Sequence, residues 1–265
     1  MDDQTIQTSI DATRPDRRPS GFLDTLRTLG YAIALALVIR TLAFEPFSVP
    51  SESMLPTLEV GDYFFVSKYA YGYSRHSLPF SLPLFSGRLF AREPARGDIV
   101  VFKLPRDDST DYVKRLIGLP GDRVQVRSGI VYVNDQPLVR RPVASSIHRD
   151  GRGNSLVYRE RTPEGAGFDT IDRYRSAQDD TEVFLVAPGH YFMMGDNRDN
   201  SRDSRFLNEV GQVPAENLVG RAELLFFSTK GTARLWEVWK WPATIRYTRL
   251  LTTLRPARAD LRPQG

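Results

Sequence analysis

The stretch Asp111-Tyr-Val-Lys-Arg-Leu-Ile-Gly-Leu-Pro-Gly-Asp122 runs directly into Arg123-Val-Gln-Val-Arg127, then Ser128-Gly129, then Ile130-Val-Tyr-Val133. The first segment is an apolar run closed by a Pro-Gly turn. The second is a hairpin of alternating residues around a two-residue turn. Both are β patterns, and the pattern continues outward. Gly-Asp dipeptides stand before short apolar runs three times: Gly61-Asp62 before Tyr63–Val66, Gly97-Asp98 before Ile99–Phe102, and Gly121-Asp122 before Val124–Val126. Each reads as a turn feeding a strand. Phe184–Val186 and Tyr191–Met194 flank Pro188-Gly189 and add two more strand candidates. Residues 140–182 are polar and read as loops and weak hairpins. Helical periodicity is scarce beyond the N-terminal region, so the expected fold is mainly β.

One helix is expected, and it is apolar. Leu29–Ile39, then Arg40, then Thr41–Phe44 make a 16-residue run, roughly 24 Å of helix against a hydrocarbon core of ~30 Å. Arg40 is close enough to the end to snorkel, and Pro46 is the expected stop. Phe44-Glu-Pro-Phe-Ser-Val-Pro50 lacks the small-x-small site of a cleavable leader, which favours a retained anchor over a signal peptide or a buried core helix. Arg14, Arg17, Arg18 and Arg27 precede the span and no basic residue lies between Thr41 and Leu58. The positive-inside rule then puts the N-terminus in the cytoplasm and the body outside. Residues 1–20, polar with Pro15 and Pro19, read as a disordered tail.

Composition removes several chemistries. With no cysteine, a Cys nucleophile, Cys-ligated zinc and disulfides are excluded. His76, His148 and His190 have neither metal-ligand spacing nor a triad pattern and read as surface or loop histidines. No G-x-S-x-G elbow, P-loop, H-E-x-x-H or complete dinucleotide fingerprint occurs. The alternating acids of Asp196–Asp203 miss the calcium-loop register, with no glycine at its sixth position. A net charge of +4 is only a weak pull toward anionic surfaces. No nucleic-acid partner is expected, because no matching basic fold motif is present. All three tryptophans, Trp236, Trp239 and Trp241, lie in the basic C-terminal stretch. That composition suits a membrane interface, with packing on the core as the alternative.

Three segments remain for chemistry. In Pro50-Ser-Glu-Ser-Met-Leu-Pro-Thr-Leu58, two prolines bracket Ser51 and Ser53, which share one side of an extended chain. In Asp111–Asp122, Lys114 lies in apolar company on a strand. Burial there would strip water from its ammonium and lower its pKa, as a lysine base near neutral pH requires. In Gly195-Asp-Asn-Arg-Asp-Asn-Ser-Arg-Asp-Ser-Arg205, acids and arginines alternate and cancel, the pattern of an ordered supporting network or of a solvated loop.

These segments closely resemble the bacterial type I signal peptidases, also called leader peptidases. Ser51–Leu58 is similar to the nucleophile box, Arg96-Gly-Asp-Ile-Val-Val-Phe102 to a core strand box, Tyr112–Asp122 to the lysine box, and Gly195–Arg205 to the last box. The order is the family's, and the likeness spans about residues 45–228. The resemblance implies a catalytic β domain with a second β domain inserted into it. It makes Ser53 the nucleophile and Lys114 the general base. Ser51 would supply an oxyanion donor beside the Ser53 backbone N–H. Ser201 would orient Lys114, and Asp203 and Arg205 would pair to hold their loop. Phe47, Val49, Met54 and Val113 would shape small apolar subsites. No cofactor or metal is implied. The implied partners are membrane lipid and secretory preproteins with small residues before the cut.

The expected organisation is therefore a cytoplasmic tail (1–20), a single transmembrane anchor (21–44), a catalytic β domain (45–122 and 188–230), an inserted β domain (123–187) and the Trp/basic segment (231–265). The site would face the outer, periplasmic side of the inner membrane. A self-cleaving Ser/Lys repressor would need a DNA-binding helix-turn-helix where residues 1–44 hold an apolar span. The remaining alternative is a non-catalytic, membrane-tethered β domain that binds partners.

Overall fold

The computed structural model describes residues 21–78, 81, 84–150, 153–230 and 237–258, with side chains described outside 144–154 and Arg258. The expected tail and Trp236 lie outside the described residues. The chain divides into two units, residues 1–38 and 39–265.

Helix α1 (Phe22–Leu42) has 21 residues, about 31 Å of rise, which matches an average hydrocarbon core. It is long and apolar enough to cross a membrane, and none of its residues is buried, unlike a core helix. It begins before the apolar run and stops at Leu42, so Phe44 and Pro46 fall beyond it. Both belong instead to the edge strand β1 (Phe44–Ser48), where a proline's missing N–H costs no ladder bond. Arg40 pairs with Glu45 of that strand, Nη2 to Oε1 2.9 Å.

The body holds sixteen described strands. Beyond β1 they are β2 (Asp62–Ser67), β3 (Ile99–Lys103), β4 (Asp111–Gly118), β5 (Arg123–Arg127), β6 (Ile130–Val133), β7 (Gln136–Pro137), β8 (Val139–Asp150), β9 (Gly153–Arg161) and β10 (Ala166–Asp172). Then come β11 (Phe184–Leu185), β12 (His190–Met194), β13 (Val213–Pro214), β14 (Leu218–Ser228), β15 (Thr252–Thr253) and β16 (Ala257–Arg258). The main sheet runs β1-β2-β14-β3-β4-β12-β13 with β15 added to β14; the smaller sheets run β16-β10-β9-β8 and β11-β5-β6-β7. Both smaller sheets draw on residues 123–187. The C-terminal segment contributes one short strand to the main sheet and one to a smaller sheet. Trp241 packs on Phe227 with ring centroids 4.8 Å apart, while Trp239 is exposed.

The Gly-Asp turns share one construction. Asp62, Asp98 and Asp122 are buried, and each accepts the backbone N–H three residues earlier, from Glu59, Ala95 and Leu119. The glycine allows the left-handed step, as at Gly97 with φ +94°, where only glycine is unstrained. The β5–β6 hairpin closes on Ser128-Gly129, both with positive φ, the primed two-residue turn that matches strand twist.

Alternation sorts the core. On β3, Ile99 and Val101 enter a cluster with Val49, Met54, Leu58 and Phe64. Val100 and Phe102 enter another with Leu116, Tyr191 and Met193. β3 is thus covered on both faces, which its unbroken apolar run reflects. A third cluster joins Ile117, Phe192 and Met194 of the main sheet to the β5–β6 hairpin.

Residues 140–182, read as loops and weak hairpins, hold most of β8 and all of β9 and β10. Their order comes from cross-strand charge rather than apolar alternation. Arg159 stands opposite Asp169 and is ion-paired with it, Nη2 to Oδ2 2.9 Å. Arg140 stands opposite Glu160, lies over the Tyr158 ring at 3.7 Å and pairs with Asp172. Such pairs stabilise a sheet that an apolar count overlooks.

Candidate active site

The loop after β1 is pinned from below. Val49 N–H donates to Asp62 O (2.9 Å), Gly61 N–H to Val49 O (3.1 Å), and Leu58 N–H to Met54 O (2.9 Å). Val49, Met54 and Leu58 are buried in the core, each worth about 1.5–3 kcal/mol of burial. Ser53 is therefore held at a fixed height above apolar packing, 8% exposed. Its backbone N–H donates to no group among the described residues. Ser51 Oγ is 3.3 Å from Ser53 Oγ, so the two hydroxyls share one side.

Lys114 arrives from the middle of β4. It is 3% exposed, and its Nζ lies 2.7 Å from Ser53 Oγ and 3.0 Å from Val113 O. The Tyr112 ring stands 5.2 Å from the same nitrogen. Burial pushes the Lys114 ammonium down to about 8, against the opposing pull of Asp203 and Asp196. At pH 7.5 about a quarter of such lysines are neutral, whereas an unperturbed lysine is almost wholly charged.

The third wall is the loop after β12. Arg205 grips Asp203 with two parallel bonds, Nε–Oδ1 and Nη2–Oδ2, both 2.9 Å. It also donates to Arg198 O at 2.6 Å. Burial alone would raise Asp203, but Arg205 and the Gly195 N–H (3.0 Å) hold it below the usual carboxylate range. Ser201 is buried in the same loop. No hydrogen bond joins it to Lys114 among the described residues. Its electrostatic effect falls on Asp203, which it helps to lower. The loop also holds Ser53: Asn197 N–H donates to Ser53 O (3.1 Å) and its side-chain amide to Glu52 O (3.1 Å).

The three segments thus converge, and they enclose a cleft of about 390 Å³. Phe47 and Val113 line it together with Phe64 and Val101. Val49 and Met54, expected to shape subsites, do not line it. Their side chains turn into the core that carries Phe64 and Val101, so they act on the cleft's shape from beneath.

Sequence reasoning missed the pair beneath the site. Arg115, 2% exposed by side chain, holds Asp196 through Nε–Oδ1 at 2.7 Å and Nη2–Oδ2 at 2.6 Å. Asp196 in turn accepts from Thr57 Oγ1 at 2.5 Å, which ties the nucleophile loop to both other segments. The one available signal was an arginine in a buried strand, because such a charge needs a partner. His76 also departs from its reading as a surface residue: it is buried, with Asp108 3.2 Å from Nε2.

A serine hydroxyl within hydrogen-bond reach of a buried, partly neutral amine is an activated nucleophile. The sequence also has known relatives. Residues 22–227 match the family described as signal peptidase, peptidase S26. The chain is 45% identical over 239 residues to signal peptidase I of Rickettsia typhi, covering 85% of each. It is 44% identical over 242 residues to that of Rickettsia prowazekii, covering 86% of each. A crystal structure of a signal peptidase I from Enterococcus faecalis V583 aligns over 49% of this chain and 97% of that one, with 28% identity and a TM-score of 0.31. The family match across most of the chain and the long, close identities decide the matter: this chain belongs to the signal peptidase family, peptidase S26.

Proposed function

We propose that the chain is a membrane-anchored serine endopeptidase that removes N-terminal signal peptides from secretory preproteins, with Ser53 and Lys114 as its dyad. The observation that carries the dyad is the 2.7 Å approach of Lys114 Nζ to Ser53 Oγ, made by a lysine whose burial favours the neutral amine.

Neutral Lys114 takes the Ser53 proton as Oγ attacks the scissile carbonyl. The C–O bond forms and the carbonyl electrons move to oxygen. The Ser53 N–H and the Ser51 hydroxyl donate to that oxyanion; losing one such donor typically costs ~10²–10³ in rate. Lys114 then gives its proton to the leaving nitrogen, the C–N bond breaks, and the mature chain departs as an amine. Water, deprotonated by the same lysine, releases the acyl group. The Asp203–Arg205 pair holds the loop behind this lysine.

Substrate selection follows from the cleft. β12 pairs with β4 only from Arg115 onward, so the far side of Asp111–Lys114 has no strand partner among the described residues. An extended peptide adds there as a strand and sends alternate side chains toward Phe47, Phe64 and Val113, leaving room for small residues before the cut. The basic residues ahead of α1 put the N-terminus in the cytoplasm and the cleft on the outer face of the inner membrane. Such placement brings the site to signal peptides at the lipid boundary. The exposed Trp239 and its basic neighbours add a contact with lipid headgroups.

Ser53→Ala and Lys114→Ala should each abolish cleavage of a preprotein in detergent micelles while circular dichroism and thermal midpoint stay near wild type. Turnover persisting in either variant would sink the dyad and favour a non-catalytic tethered domain.

A further inference from the structure

The cleft is chemically divided. Phe47, Phe64, Val101 and Val113 give it an apolar lining, and Glu52, Asn200 and Arg202 a polar one. Under the proposed function the apolar part takes the residues before the cut, so the polar part faces the first residues of the mature chain. The inference drawn here rests on that reading.

Arg202 is placed to read those residues. Its neighbours Ser201 and Asp203 are both buried. Asp203 is locked by Arg205 and by the Gly195 N–H. The backbone at 202 is therefore fixed, while the side chain points outward, 74% exposed. It pairs with Glu209, Nη1 to Oε2 2.9 Å, itself 38% exposed. An exposed pair of this kind is nearly neutral in free energy, so a carboxylate from a substrate can displace Glu209 at little cost. The other charges on the cleft are engaged differently. Asp111 pairs with Lys103 at 2.9 Å, the Glu52 carboxylate accepts from Asn200 at 3.2 Å, and Lys114 is committed to Ser53.

We propose that Arg202 is a specificity residue that favours substrates with an acidic side chain within the first residues after the cut. The guanidinium offers a planar pair of donors that matches a carboxylate. Being exposed, it selects by weak, salt-screened attraction rather than by a buried lock.

The test uses the full-length enzyme in micelles with quenched fluorescent peptides that differ only in the second residue after the cut: Glu, Gln or Lys. The expected kcat/KM order is Glu over Gln over Lys, with a Glu-to-Lys ratio of about three to five at low salt. The difference should lie mainly in KM and fade by 0.5 M salt. Arg202→Ala should bring the ratio to about one, Arg202→Glu should invert it, and Arg202→Lys should keep its direction. A general structural defect would lower all three peptides equally and leave the ratio unchanged. A ratio that survives Arg202→Ala would overturn the inference, as would a charge preference that moves to peptides altered before the cut. Ser53→Ala serves as the separate control: if it still cleaves, the proposed function fails, whereas an inactive Ser53→Ala with an unchanged Arg202 ratio removes this inference alone.

Discussion

At the scale of one residue, Lys114 works because it is costly. Burial disfavours its charged form, and the structure opposes that only in part through Asp203 and Asp196. The acid limb of kcat/KM should therefore be centred near 8, the value to which burial brings the amine, and level off above it. A limb centred near 10 would mean that the lysine is solvated in the working enzyme. The same shift has a stability consequence, and its sign is fixed by proton counting. Between about 8 and 10.5 the unfolded chain binds the proton and the folded chain does not, so stability rises with pH across that window. Below 8 the charged lysine is buried and the full penalty applies. Lys114→Met should thus be inactive yet more stable than wild type at pH 6–7, by up to roughly 3 kcal/mol. The gain should shrink as pH climbs past 8, and urea titrations of both proteins at several pH values would read it. A variant less stable than wild type at pH 6 would show that the lysine's hydrogen bonds outweigh its desolvation.

At the scale of elements, the site is a junction of a loop, a strand and a second loop, and close packing sets their spacing. Gly195 is the tightest point. A Cβ there would stand 2.6 Å from the Ser53 carbonyl oxygen and collide with the Ser201 side chain. Gly195→Ala should therefore displace the nucleophile loop and lower kcat by about a hundredfold or more, at a stability cost of only about 1–3 kcal/mol. Wild-type turnover in that variant would mean the loops yield independently of the dyad. This junction also marks how far the sequence could be read. Ser53, Lys114, Asp203 and Arg205 could be singled out because each lies inside a short segment that resembles a family box, whereas the bond expected from Ser201 to Lys114 is absent among the described residues. Arg115 and Asp196 could not be, since their bond closes over 81 positions and neither residue is unusual locally. Val49 and Met54 were expected in the cleft, but backbone ties to Asp62 and Gly61 turn that stretch toward the core. The strands in 140–182 were legible only as weak hairpins, because cross-strand arginine–carboxylate pairs, invisible to apolar periodicity, help to order them.

At the scale of the molecule, chemistry and delivery are carried by different units. Among the described residues, 39–265 contain every strand, all four core clusters and every residue lining the cleft. The rest of the chain supplies most of α1, whose contribution is location. Tethering raises the effective concentration of enzyme at the bilayer to the millimolar range without adding a contact to the substrate. Removing residues 1–38 should consequently leave kcat/KM for a short soluble peptide within about threefold of wild type, while processing of a preprotein inserted in lipid vesicles falls by about tenfold or more. The two rates, measured on the same preparations, separate the explanations. Equal losses on both substrates would show that the helix supports the fold of the body. No loss on vesicles would show that the body finds the bilayer unaided, and the exposed Trp239 would then be the first residue to substitute.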